Sequence, residues 1–245
     1  MTKIYEALEN AGRDRDAVES GQVAVPSSPP RSAKTGRQKA LDEKLLALYQ
    51  RIESLVEGQS CRIVEFSGMQ NSPDSSNLAT ALAELVATRL RKRVLLAAAS
   101  GKSIGQMAPG AQAPGWDQAV EDGTDVSGRV YRVGDSSLFV TQLAAEHSSL
   151  PAMASSPNLA GIMDGLRDSF DLIIVDAPPL NSGSDAVLLS GAVDGVVLTI
   201  DAGKVRWQVV RNSMRQIEAQ KGRVLGVMLN KQRYYIPNFI YRKLL

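Results

Sequence analysis

The 245-residue sequence contains a single cysteine, Cys61, and a single histidine, His147. One cysteine excludes an intrachain disulfide and a cysteine-rich metal site. One histidine excludes a histidine-based metal cluster, and no metal site is expected. The formal net charge of +2 is too small to imply nucleic acid as a partner. No apolar run approaches the ~18 residues that a membrane span needs. The opening MTKIYEALENAGRDR lacks the apolar stretch of a secretory signal, so the expected compartment is the cytosol. What is present is ordinary for a folded protein: 44% hydrophobic and 22% charged residues argue against wholesale disorder.

Along the chain, Ile4, Leu8 and Ala11 have helical spacing and Gly12 is a plausible stop, which predicts a short helix within 1–12. Residues 13–39 are rich in Ser, Pro and basic side chains without apolar periodicity, and read as a flexible linker. An α/β domain is expected over 40–233, opening with an amphipathic helix at 41–56 (Leu45, Leu48, Ile52 and Leu55 on one face), and a tyrosine- and base-rich tail over 234–245. Six runs predict strands: 62–68, 93–99, 137–143, 171–177, 195–201 and 224–230. Several are apolar on both faces, as in strands buried in a parallel sheet. Helices are predicted between them at 77–91, 158–168 and 204–220. The alternation points to a doubly wound, mainly parallel sheet with right-handed crossovers.

The most informative run is FDLIIVDAPPL, 170–180. An apolar strand ending in Asp176 puts a carboxylate at the carboxyl edge of the sheet, where ligands of open α/β sheets collect. Such a carboxylate can hold a Mg²⁺-bound water beside a nucleotide phosphate, or it can merely cap a strand. The Asp-Ala-Pro-Pro that follows resembles the Walker B segment of the MinD/ParA-related P-loop ATPases, and above all of the bacterial tyrosine autokinases (BY-kinases). The resemblance extends through SDAVLLSGAVDGVVLTIDAGKVRWQVV (184–210) and GRVLGVMLNK (222–231). Upstream, ALYQRIESL before RIVEFSG and the opening KIYEAL helix are similar to the soluble forms from exopolysaccharide operons. It implies a P-loop NTPase fold and a place in exopolysaccharide synthesis and export. The implied partner is a membrane polysaccharide co-polymerase, and a homo-oligomer is possible.

The departures from that family are at the phosphate loop. A loop of form G-x-x-x-x-G-K-[ST] wraps phosphates in backbone N–H groups, neutralises them with its lysine and binds Mg²⁺ with its hydroxyl. The corresponding stretch is SGMQNSPDSSNLA, 67–79. Gly68 survives, Ser72 and Asp74 replace glycines, Ser75 stands at the lysine position and Ser76 at the Mg²⁺-binding hydroxyl. Pro73 has no N–H to donate. Asp74 sets an anion against phosphate, a repulsion of about 1 kcal/mol at 4 Å in water and about 4 kcal/mol at an effective dielectric near 20. The second strand ends with Ala98 and Ser100 where the family carries acidic residues. Asp176 is thus the one acidic remnant, and Gly68, Ser75 and Ser76 form a loop expected not to bind. No cofactor is expected. ATP with Mg²⁺ enters only if the chain is an active tyrosine kinase with an unorthodox loop, or a MinD/ParA-type positioning ATPase.

The ending YYIPNFIYRKLL carries Tyr234, Tyr235 and Tyr241 among Arg233, Arg242 and Lys243. The autokinases carry a phosphorylated tyrosine cluster there. The alternative is a docking tail of aromatic and basic residues, which the damaged loop favours. His147 is expected in a surface loop, Cys61 as a structural residue, and Trp116 and Trp207 packed against the core.

Overall fold

A computed structural model describes residues 36–56, 58, 62–70, 74–98, 107, 115–143, 150–181 and 183–230. The expected helix within 1–12, most of the linker, Cys61, Ser72, Pro73, Ser100, His147 and the tail from 231 onward lie outside the described residues. The chain divides into two units, Met1–Lys39 and Ala40–Leu245, and the second holds nearly everything described.

Its elements run in chain order as α1 (Gly36–Leu55), β1 (Arg62–Gly68), α2 (Asp74–Arg89), β2 (Val94–Ala98), α3 (Asp117–Asp122), β3 (Tyr131–Arg132) and β4 (Leu138–Gln142). They continue as α4 (Leu150–Ser155), α5 (Pro157–Leu166), β5 (Leu172–Asp176), α6 (Asp185–Leu189), β6 (Gly195–Asp201), α7 (Trp207–Ala219) and β7 (Val224–Asn230). The strands form one seven-stranded sheet in the order β3-β4-β2-β5-β1-β6-β7. Only the β3–β4 pair is antiparallel. This is the mainly parallel, doubly wound architecture expected, with strand order reversing on either side of β1.

Apolar residues on both faces of the central strands divide between two cores. Ile63, Ile173, Val175, Val196 and Leu198 face α3–α7. Val64, Phe66, Leu96, Ile174 and Val197 face α1 and α2. α1 buries Leu45, Tyr49 and Ile52, the 4- and 3-residue spacing of one helical face. Buried Asp42 anchors α1 to Arg89 at the end of α2.

Four of the predicted strands, 62–68, 171–177, 195–201 and 224–230, are met to within a residue at each end, and the other two, 93–99 and 137–143, likewise. The helices differ more. α1 begins at Gly36, inside the stretch read as linker, and α2 begins at Asp74 rather than 77. α2 stops before Arg91, whose φ of 54° is left-handed. α7 begins at Trp207 rather than 204, because Gly203 at φ 78° turns the chain first. Trp116 is fully buried, its indole N–H donating to Thr141 Oγ1 at 2.8 Å. Trp207, however, is 55% exposed. α7 buries Val210, Ser213 and Ile217, and Trp207, its first residue, lies three positions before the first of them.

The Asp-Gly that opens β6 has a structural task. Asp194 accepts two hydrogen bonds from Arg167, at 2.8 and 2.7 Å, and one from the Ile63 N–H at 2.7 Å. It thereby joins α5, β1 and β6. Arg167→Ala would leave that largely buried carboxylate without its fork, and is expected to lower unfolding free energy by about 3 kcal/mol. Urea unfolding checks this. A loss below about 1 kcal/mol would make the pair no better than a solvent-screened surface bridge.

Candidate functional site at the carboxyl edge

The ends of β1, β2, β5 and β6 and the start of α2 meet at one point. Asp176 lies in register with Phe66 on one side and Ala98 on the other. From α2, Ser76 Oγ donates to Asp176 Oδ1 at 2.9 Å. This bond joins the two residues that the sequence resemblance assigns to the hydroxyl and carboxylate of a P-loop Mg²⁺ site. On the opposite side of Asp176 is the methyl of Ala98, which offers no ligand.

The Asp-Ala-Pro-Pro turn is held onto β1. Two prolines have no N–H to satisfy, and the donors flanking them bond to β1. Ala177 N–H reaches Phe66 O at 3.0 Å, and Leu180 N–H reaches Gly68 O at 2.8 Å. Ser67 Oγ adds a bond to the Pro178 carbonyl at 2.7 Å. The turn therefore fixes where β1 ends and where Asp176 sits.

Beside it, Gly68 is tightly enclosed. A Cβ there would lie 3.2 Å from Gln70 O and 3.4 Å from Ser75 Cβ. Ser75, which the sequence resemblance sets against the loop lysine, is buried, and its hydroxyl has no hydrogen-bond partner among the described residues. The recess lined by Gly68, Gln70, Ser75, Thr199, Asp201 and Asn230 holds about 10 Å³, about one water-sized sphere. Lys204 reaches Asp201 at 3.1 Å.

Burial raises the Asp176 carboxyl from 3.8 to about 6, and the Ser76 hydrogen bond offsets part of that rise. Folding therefore favours the neutral form more than the unfolded chain does, although above about pH 6 the carboxylate still predominates. The stabilisation of the neutral form is fully present below the unfolded value and is lost as pH rises through about 6. Asp176→Asn keeps the acceptor for Ser76 without the charge. It is expected to stabilise the protein by about 2 kcal/mol at pH 7.5 and by nothing below about pH 4. Thermal melts across that range test it, and a pH-independent difference would refute the assignment.

One ionisable residue in the middle of the fold escaped the strand pattern. Glu65, on β1 between Val175 and Val196 in register, is fully buried, and neither carboxyl oxygen has a partner among the described residues. Burial holds its carboxyl well above the usual range. The readable signal was a carboxylate at the centre of an otherwise apolar strand.

Of the residues singled out in the sequence, Gly68, Ser75, Ser76, Ala98 and Asp176 come together here. Tyr234, Tyr235 and Tyr241 lie outside the described residues.

No family model matches the chain. Individual relatives do. Tyrosine-protein kinase CpsD of Streptococcus agalactiae is 23% identical over 176 residues, 71% of this chain and 77% of that one. CpsD of Streptococcus pneumoniae is 32% identical over 94 residues, 38% and 41% of the two chains. The succinoglycan biosynthesis transport protein ExoP of Rhizobium meliloti is 29% identical over 79 residues, 32% of this chain and 10% of ExoP. Among solved structures, the kinase domain of the Escherichia coli tyrosine kinase ETK superposes with a TM-score of 0.71 at 16% identity, covering 91% of this chain and 89% of that one. A chain of the MinC:MinD cell division protein complex of Aquifex aeolicus gives 0.57 at 12% identity, covering 74% of this chain and 72% of that one. Sequence and fold agree: the chain is a homologue of the bacterial tyrosine kinases, on the P-loop fold that they share with MinD and ParA.

Proposed function

We propose that this chain is a catalytically degenerate tyrosine-kinase-like protein of exopolysaccharide biosynthesis and export. It acts as a scaffold, docked from the cytosolic side on a membrane polysaccharide co-polymerase, without turning over ATP. The observation that carries the reading is the pairing at the carboxyl edge. Ser75 stands where the cation would be and is packed away, and Ala98 lies in register with Asp176 where a second acid would stand. Mg-ATP does not suit that donor set. ExoP supports the setting. It is named for polysaccharide transport, and the matched region is a tenth of its length, so a homologous segment there sits within a much longer chain. Among the described residues no helix is long and apolar enough to cross a membrane, which suits attachment through a partner.

A second reading, an active kinase with an atypical loop, draws on the retained Ser76–Asp176 pair. Asp176→Ala in the producing cell separates the two. Polysaccharide export is expected to stay near wild type, with a stability change of about 1 kcal/mol. Loss of export by a variant that accumulates normally would make the site chemical.

A further inference from the structure

Among the described residues, none covers the sheet's α1/α2 face at its β7 end. There a groove of about 400 Å³ runs between α1 and β7. Val197 of β6 and Leu225 and Met228 of β7 form its floor, and Leu48, Ile52 and Leu55 of α1 its wall. Exposed Lys44 and Arg51 complete the lining. A mostly apolar groove with a cationic lip is a binding surface in search of an occupant.

We propose that its occupant is the chain's own carboxy-terminal segment, 234–245, folded back over β7. Three observations select it. First, β7 is the last strand of the sheet, and residue 231 follows its final residue, Asn230, directly. Lys231, Gln232 and Arg233 suffice for a reversal, and twelve extended residues span roughly 40 Å. The groove takes four residues of β7, about 13 Å of strand. Second, eight of the twelve residues in YYIPNFIYRKLL are aromatic or aliphatic. Tyrosine rings complement Lys44 and Arg51 through cation–π contact while Ile236, Phe239 and Ile240 offer apolar area for the floor. Third, a tether this short gives the segment an effective concentration in the millimolar range. A separate partner or a second copy at micromolar levels must displace it. A protein that engages the tail then has to lift it from the groove.

Hydrogen exchange on the full chain tests this, with the chain ending at Arg233 and Ala47→Arg in the full chain as comparisons. Ala47 is an exposed helix position lining the groove, where arginine fills the space and keeps helix propensity. Tail amides in the intact protein are expected to exchange about tenfold slower than in Ala47→Arg. Truncation is expected to deprotect 44–55 and 224–230. The protection should not change with protein concentration. Tail amides exchanging at the rate of a free peptide, or groove amides indifferent to the truncation, would overturn the proposal. Protection that grows with concentration would also overturn it, assigning the groove to a second copy.

Discussion

Titrating the purified protein with Mg-ATP is expected to show no binding tighter than about 1 mM, the affinity equivalent of about 4 kcal/mol. In a working P-loop the lysine and the metal neutralise the phosphates together. Here the lysine place is Ser75, buried with its hydroxyl turned into the protein. The metal place retains the Ser76–Asp176 pair, so the loss lies in the residues around that pair. Across the sheet Ala98 supplies a methyl group. Pro73 subtracts a backbone donor, and Asp74 adds a negative charge to the loop. Each change removes attraction or adds repulsion of order 1–4 kcal/mol, so together they outweigh what ordinary nucleotide affinity supplies. Calorimetry is the direct measurement. A dissociation constant below the millimolar range would overturn the degenerate reading and restore the active kinase.

Removing 234–245 is expected to abolish most co-purification with the membrane co-polymerase, whereas changing Tyr234, Tyr235 and Tyr241 to phenylalanine is expected to leave it largely intact. Ring area beside basic side chains is the composition that concentrates binding energy, with hot-spot truncations costing 2 kcal/mol or more. Phenylalanine keeps that area and loses only the hydroxyl. A phenylalanine variant that fails as completely as the deletion would assign the role to the hydroxyls. Phosphotyrosine on the protein isolated from its own cells would point the same way.

The central strands were legible because burial on both faces leaves a continuous apolar run, as in LIIVD of β5 and GVVLTID of β6. β3, with Tyr131 and Arg132 alone, is too short to carry any period. The five- and six-residue helices α3, α4 and α6 escaped the periodicity for the same reason. The meeting of Ser76 with Asp176 was foreseeable from the motif frame, since a loop hydroxyl and a strand-end carboxylate share one metal in that frame. The bonds that set the frame were not. Ser67 to the Pro178 carbonyl, and Leu180 to Gly68, depend on how a proline turn crosses a neighbouring strand. Trp207 shows the opposite error, since size and apolarity suggested a core that its place on the first turn of α7 denies.

Glu65 makes folding a proton-consuming reaction. In the unfolded chain its carboxyl is ionised at neutral pH, and on β1 it enters an apolar layer without a partner among the described residues, where burial favours the acid form. Between the ordinary carboxylate value and the raised one in the fold, each molecule that folds therefore takes a proton from solution, and each that unfolds returns one. Over that range this single residue makes stability fall by about 1.4 kcal/mol per pH unit as pH rises. A weakly buffered solution of the protein should acidify as denaturant is added. Glu65→Gln removes that exchange, and the acid released with it.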